Sequence, residues 1–311
     1  MKSFKFIIVA LAAMYACTGL SLAQNSTSTI GQIKAFIVQG DVQSRVGRLG
    51  TLTPVSRGDL IAVGTTIETG ADGSALIVFS NGSAMQIKAN SRVQVEAYSQ
   101  TAFDEKGGDN TFLRLQGDPS KSTTQLKIDK GTLVGQVKKL DLDADSSFTV
   151  DTPAGSAGIR GTIPVFTVTT DPITGKPTGV TMSCSEGSIV FHPTPLAGVP
   201  IALQNGPVQI DAGGQAEVTI QTNGTVGTNG APTVTSITIA GTTYTGADAQ
   251  SVIDSLYAAI NEVIVAQGGT AVAVPVTAPA NPPQNTGNGT QSTPKQNNTP
   301  APPNNPTVIS A

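Results

Sequence analysis

From Ile33 to about Ile220 the chain alternates short apolar runs with polar breaks centred on glycine. Val63–Thr69 ends at Gly70, Asp72-Gly73-Ser74 opens Ala75–Phe79, and Asn81-Gly82-Ser83 opens Ala84–Lys88. Asp-Gly and Asn-Gly accept the positive φ of tight turns, so two hairpin corners are predicted at Gly73 and Gly82. The same glycine-polar-apolar opening recurs at Gly187–Phe191 and Gly214–Val218. Their spacing is irregular, which argues against a solenoid of fixed repeat length. Thr101–Ser122 breaks the rhythm and reads as a long loop with one short strand near Phe112–Leu115; strands resume at Gln125–Ile128, Thr132–Val137 and Phe148–Val150. The expectation is an all-β domain of many short strands over 33–220, β-solenoid-like in preference to an irregular sandwich, turning at Gly73, Gly82, Gly161 and Gly187.

Past Ile220 the pattern changes. Thr222–Pro232 is Gly, Asn and Thr with little apolar content and reads as a loop. Val234–Ile239 and Thr242–Tyr244 suggest a hairpin around Gly241. Then Val252, Ile253, Leu256, Tyr257, Ile260, Val263 and Ile264 recur at spacings of three and four, one apolar stripe of a helix that Gly268-Gly269 stops. Residues 221–268 therefore read as a hairpin plus an amphipathic helix that docks on its own domain. The tail, 277–311, is rich in Pro and Asn with Lys295 as its one charge, and is expected to be disordered.

The first 23 residues carry an export pattern. Lys2 and Lys5 precede an apolar run from Phe6 to Leu20, and Ser21-Leu22-Ala23 places small residues before a cleavage point at Gln24. Cys17 offers a lipoprotein alternative, but Met14 and Tyr15 stand where a lipobox has Leu and a small residue. The expected product is a periplasmic or secreted protein, without lipid and without a transmembrane segment.

Composition narrows the chemistry. Charged residues are 13% and aromatics 4%, with no Trp and 34 Gly, a balance suited to β structure with many turns. The formal charge is −3, and −3 − 2 = −5 once Lys2 and Lys5 are removed. With no clusters of Lys or Arg, nucleic acid is an unsuitable partner. His192 is the only histidine, so a Ser-His-Asp triad has a single possible base, and no G-x-S-x-G elbow accompanies it. One His and Cys184 cannot build a zinc site, and Cys184 itself reads as a small buried residue. Asp141-Leu142-Asp143-Ala144-Asp145 opens like a calcium loop, but Ser146 and Thr152 occupy the positions that need Gly and Glu. The plainer expectation is an alternating stretch with Leu140 and Leu142 inward. Gly155–Gly161 has spaced glycines but no helix follows to bind phosphate. Neither metal, cofactor nor catalytic machinery is expected.

One segment says more. Phe148–Phe166 reads FTVDTPAGSAGIRGTIPVF, a strand and a Pro-Gly turn followed by Ala157-Gly158-Ile159-Arg160-Gly161-Thr162 running into a further strand. With Gly40-Asp41-Val42, Arg57-Gly58-Asp59-Leu60, Thr69–Ala75, Phe79–Ser83, Gly131 and Glu186-Gly187 it resembles the FecR domain, an extracytoplasmic all-β module. The resembling residues are mostly turn glycines, their polar partners and core apolars, among them Gly73, Gly82, Arg160, Gly161, Thr162 and Gly187. The resemblance implies a fold, and a role in binding or sensing an envelope protein or glycan. Characterised members of that family are transmembrane regulators of iron uptake with a cytoplasmic anti-sigma segment; nothing before Ala23 could form one here. An anti-sigma component and a secreted structural or adhesive protein are the alternatives. Some regulators with this domain are cut at a Gly-Thr pair, which makes Gly161-Thr162 the one bond where self-cleavage is conceivable.

Overall fold

The computed structural model describes residues 31–103, 109–195, 206–226, 232–243, 247–266, 268–274 and 284–285. The export segment with Cys17, and the tail apart from Gln284-Asn285, lie outside them. Strands dominate, hydrogen-bonded into one network that folds into two facing layers. The first layer runs in the order β1 (Ile33–Gln39), β5 (Ser74–Phe79), β6 (Ala84–Ile87), the second half of β8 (Ser122–Gln136), β11 (Pro164–Thr170), β12 (Pro177–Cys184), β15 (Gly214–Val226) and β16 (Pro232–Thr243), antiparallel throughout. The second runs β3 (Thr53–Pro54), β2 (Val42–Val46), β4 (Thr65–Thr69), β7 (Arg92–Gln100), the first half of β8, β9 (Ser147–Thr152), β10 (Gly155–Arg160), β13 (Ser188–Pro193), β14 (Val208–Asp211) and β17 (Gln284–Asn285). The resemblance favours a β-solenoid-like arrangement over an irregular sandwich; the strands form the sandwich, because the pairings gather them into two layers that share one core.

Alternation places one residue in two from each layer into a shared core: Ile77, Phe79, Met85, Phe166 and Met182 from the first meet Ile67, Val93, Leu126, Phe148, Ile159 and Phe191 from the second. Phe79 packs edge-to-face on Tyr98 and Phe148, with centroids 5.2 and 5.9 Å apart.

The outer face of the first layer is covered as well. Helix α1 (Ala247–Ala266) lays Ile253, Leu256, Tyr257, Ile260, Val263 and Ile264 against Phe36, Ile37, Leu76, Val78, Ala84, Val134 and Ile163. A bulge in β1 between Ala35 and Ile37 lets Phe36 and Ile37 both join this face. Because β5 is covered on both sides, Ala75–Phe79 is an unbroken apolar run rather than an alternating one. Asn261 ties the chain after the helix, its amide bonding both Val272 N–H (2.8 Å) and Val272 C=O (3.0 Å).

Several local expectations are corrected. Gly82 (φ 88°) turns a true hairpin between β5 and β6, but Gly73 connects β4 in one layer to β5 in the other, so it is a crossover. The strands read at 125–128 and 132–137 are one strand, β8, which bends at Gly131 to pass between layers. Phe112–Leu115 is not a strand: Asp109–Arg114 is a short 3-10 helix that presents Phe112 and Leu113 together to the α1 face, which alternation could not do. Gly155–Arg160 is a strand in its own right, with Ala157 and Ile159 inward. Thr222–Val226 continues β15, and Gly241 pairs with Ala216 in mid-strand instead of turning a hairpin. Leu140 is buried, but Leu142 is 55% exposed, because Asp145 at φ 58° closes a tight turn that breaks the period of two. Gln284-Asn285 adds a short strand beside β14 within the tail expected to be disordered.

The motif Phe79–Ser83 is explained by a buried polar network at the open end of the sandwich. Ser80 Oγ lies 2.9 Å from Tyr98 OH and donates to Gln100 Oε1 at 2.6 Å, while Asn81 Nδ2 donates to Ser122 Oγ, which donates to Asp118 Oδ2. The serine and tyrosine hydroxyls and the Asn81 amide nitrogen are thereby paired, while Gln100 Nε2 and Asp118 Oδ1 have no hydrogen-bond partner among the described residues.

Candidate functional site

Most crossings between layers turn on a residue with positive φ, and two of them meet. Gly161 (φ 53°) takes β10 to β11, and Gly187 (φ 71°) takes β12 to β13. A Cβ on Gly187 would lie 2.3 Å from the Gly161 carbonyl oxygen, so the two turns stack backbone on backbone. Both halves of the resemblance, I-R-G-T and E-G, are thereby brought to one place.

Above these turns opens a cleft of about 290 Å³, lined by Gln136, Lys138 and Lys139 at the end of β8, by Gly161 and Thr162, by Glu186, by Gln116 and by Tyr257 of α1. Val137 N–H donates to Thr162 C=O at 2.8 Å, fixing the β8 end to the turn. Gln136 Nε2 donates to Tyr257 OH, and Lys138 Nζ donates to Leu113 C=O at 3.1 Å. Burial pushes the Tyr257 hydroxyl up to about 12, helped by the Glu186 charge.

Lys138 is the unusual member. Burial pulls its ammonium down from 10.5 to about 8, and no acidic partner faces it among the described residues. A base depressed in the folded state disfavours folding fully below pH 8, and that penalty fades as pH rises from about 8 to 10.5. Lys138→Met removes the penalty and one hydrogen bond to a carbonyl. The variant is expected to be more stable than the parent at pH 7 by about 1–2 kcal/mol. The difference should shrink between pH 8 and 10 in paired urea titrations; a variant less stable at pH 7 would contradict this reading.

The sequence-predicted residues fall out as follows. Thr162 is buried, and its hydroxyl lies 2.9 Å from Cys184 Sγ, whose thiol donates on to Glu186 C=O at 3.2 Å. The Thr162 hydroxyl is thus capped by sulfur, not by a backbone group. Burial raises the Cys184 thiol to about 11, so it stays protonated at neutral pH and is no base for a nucleophilic hydroxyl. Arg160 is exposed at the end of β10. His192 is exposed opposite Ser156 on the outer face of the second layer. Asp141 caps its own turn through Ala144 N–H at 3.2 Å. Gly73 and Gly82 lie outside the cleft, at other turns. Lys138, Gln136 and Tyr257 were not legible as site residues: a lysine after a strand and a tyrosine in an apolar stripe are ordinary features until the fold places them together.

Comparison with family models agrees with the motif reading. Residues 65–190 match the family model described as FecR protein. Two crystal structures of a candidate anti-sigma factor from Parabacteroides distasonis ATCC 8503, at 1.65 and 2.50 Å resolution, are similar at 11% identity and a TM-score of 0.34. The alignment covers 58% of this chain and 60% of that one, so it spans less than two thirds of the related protein. No curated protein matches. Among the described residues no helix is long and apolar enough to cross a membrane.

Proposed function

We propose that the chain, whose residues 65–190 match the FecR family model, is an exported, non-catalytic protein that binds or senses a component of the bacterial cell envelope. A FecR domain supports a signalling or sensing role in the envelope. The export pattern ending at Ala23 supports periplasmic placement or secretion, and the charge balance disfavours nucleic acid. The observation that carries the reading is the junction of Gly161 and Gly187: the motif residues build a turn pair that forms the floor of a cleft, and the surrounding strands supply rigidity rather than reactive groups.

The test is affinity capture from envelope extracts, with the full chain and with a version lacking 277–311. Partners retained without the tail support the β domain as the binding unit. Partners lost with the tail favour an adhesive protein, and recovery of a sigma factor would favour the anti-sigma alternative.

The Gly161-Thr162 bond is expected to stay intact. Its hydroxyl is spent on a protonated thiol, and an N-to-O acyl shift needs that hydroxyl deprotonated as it attacks the Gly161 carbonyl. Purified protein incubated with hydroxylamine should show one band on denaturing gels. Fragments that vanish in Thr162→Ala would make the chain a self-processing sensor.

A further inference from the structure

We propose that the cleft between the end of β8, the Gly161 turn and α1 binds a zwitterionic ligand of the amino-acid type, with its carboxylate on Lys138 and its ammonium on Glu186. This rests on the sensing reading and names the class of molecule sensed.

The groups in the cleft are individually incomplete and collectively complementary. Gln136 and Lys138 stand two residues apart on an extended stretch, with Val137 between them turned into the sandwich core. Side chains so spaced share a face about 7 Å apart. Lys138 Nζ gives one hydrogen to Leu113 C=O and has others to give, with no carboxylate facing it among the described residues. A half-buried ammonium without a counter-ion is costly to the fold, and an anion in the adjoining space would relieve that cost. Gln136 is a wall of the cleft rather than a ligand contact: Nε2 is used on Tyr257, and Oε1 is shielded from solvent. Glu186 lines the same side, close enough for its charge to act on Tyr257. Donors therefore gather around Lys138 and Lys139, and the Glu186 carboxylate supplies the acceptor. A simple anion would satisfy the first set alone, and a simple cation the second. A molecule with an ammonium and a carboxylate a few ångströms apart satisfies both. The volume, about 290 Å³, lies at the small end of ligand pockets and suits an amino acid better than an oligosaccharide or a nucleotide.

The ligand would touch β8, the Gly161-Thr162 turn, Glu186 beside Gly187, and α1 at once. Occupancy would then tie the helix to the turn pair, which is what a sensing element requires.

The experiment is titration calorimetry of the full chain at pH 7 with L-alanine, L-glutamate, acetate and ethylamine. Millimolar or tighter binding of an amino acid is expected, with acetate and ethylamine at least about 10-fold weaker. Lys138→Met and Glu186→Gln should each weaken amino-acid binding about 10-fold or more. Lys138→Met keeps the fold by the stability argument above, and Glu186→Gln alters an exposed side chain, so loss of binding in both would not come from unfolding. Acetate binding as tightly as L-glutamate would overturn the proposal in favour of a plain anion site. No heat from either amino acid at 50-fold the expected constant, roughly 50 mM, would also overturn it. Partner capture that persists when no amino acid binds leaves the envelope-binding reading standing and removes only the ligand. Amino-acid binding with no partner captured does the reverse.

Discussion

Alanine at position 131 is expected to remove a large fraction of the stability of the domain. Gly131 sits at φ 84°, where β8 leaves one layer for the other, and a Cβ there would lie 2.2 Å from Ser91 Oγ and 2.5 Å from Ser91 Cα. The hydroxyl could rotate away, but the Cα cannot. Ser91 is held in place from both sides: its N–H donates to Thr69 Oγ1 at 2.9 Å, and its Oγ accepts from Thr132 N–H at 2.9 Å. Relief therefore requires moving β8 off β7, which are paired along nearly the whole of β7. Left-handed backbone for a residue with a Cβ costs about 1 kcal/mol, and the displaced backbone adds overpacking of about 1–3 kcal/mol. A loss of about 2–4 kcal/mol is a large fraction of the stability of an ordinary domain. Gly175→Ala is the control. Its φ is 68°, but nothing lies within 4 Å of the added carbon, so about 1 kcal/mol is expected. Urea midpoints of the two variants should differ clearly; equal losses would mean that the crossing at Gly131 is not tightly packed.

That contrast also shows what a sequence can and cannot state about this fold. Gly73, Gly82, Gly161 and Gly187 were legible as turns because Asp-Gly, Asn-Gly and glycine-polar-apolar openings have a local cause. Whether each turn reverses within a layer or crosses to the other depends on which strands pair, and that is not local. Gly73 was therefore placed correctly and given the wrong role. β8 looked like two strands because Lys130-Gly131 interrupts its apolar alternation; the interruption is the bend between layers. The helix was legible in full, since seven apolar positions at a 3.6-residue period admit no other regular structure. The 3-10 turn was not: Phe112-Leu113 is too short to show a period, and only its packing against the α1 face explains it. The cleft was the least legible part. It gathers residues from 115 to 257 in sequence, and its distinctive members stand out only by what they lack, a counter-ion for Lys138 and a donor for Gln136.

Replacing Leu256 by aspartate is expected to undock α1 and to unfold the first layer with it. Leu256 is fully buried, among Ile253, Ile260 and the outer-face residues of β1, β5 and β8. Removing a buried leucine side chain costs about 2–5 kcal/mol, and an unpaired carboxylate cannot remain in that position. The helix must leave, and Phe36, Leu76, Val78, Ala84 and Val134 then face water on strands whose other side still forms the sandwich core. An apolar patch of that size drives association, so dye binding and concentration-dependent aggregation should accompany the fall in melting temperature. Val265→Asp provides the comparison on the same helix. Val265 is 57% exposed on the opposite face and should change stability by less than about 0.5 kcal/mol. Hydrogen exchange distinguishes two ways for Leu256→Asp to act. Loss of protection in β5, β6 and β8 together with α1 means that helix and sandwich are one cooperative unit, although a boundary near residue 220 was suggested by the change in sequence pattern. Loss confined to α1 would mean that the sandwich stands alone. The first outcome is expected, because β5 is apolar on both faces and has no polar side to turn towards solvent. It would also remove Tyr257 from the cleft, so amino-acid binding should disappear in Leu256→Asp and survive in Val265→Asp.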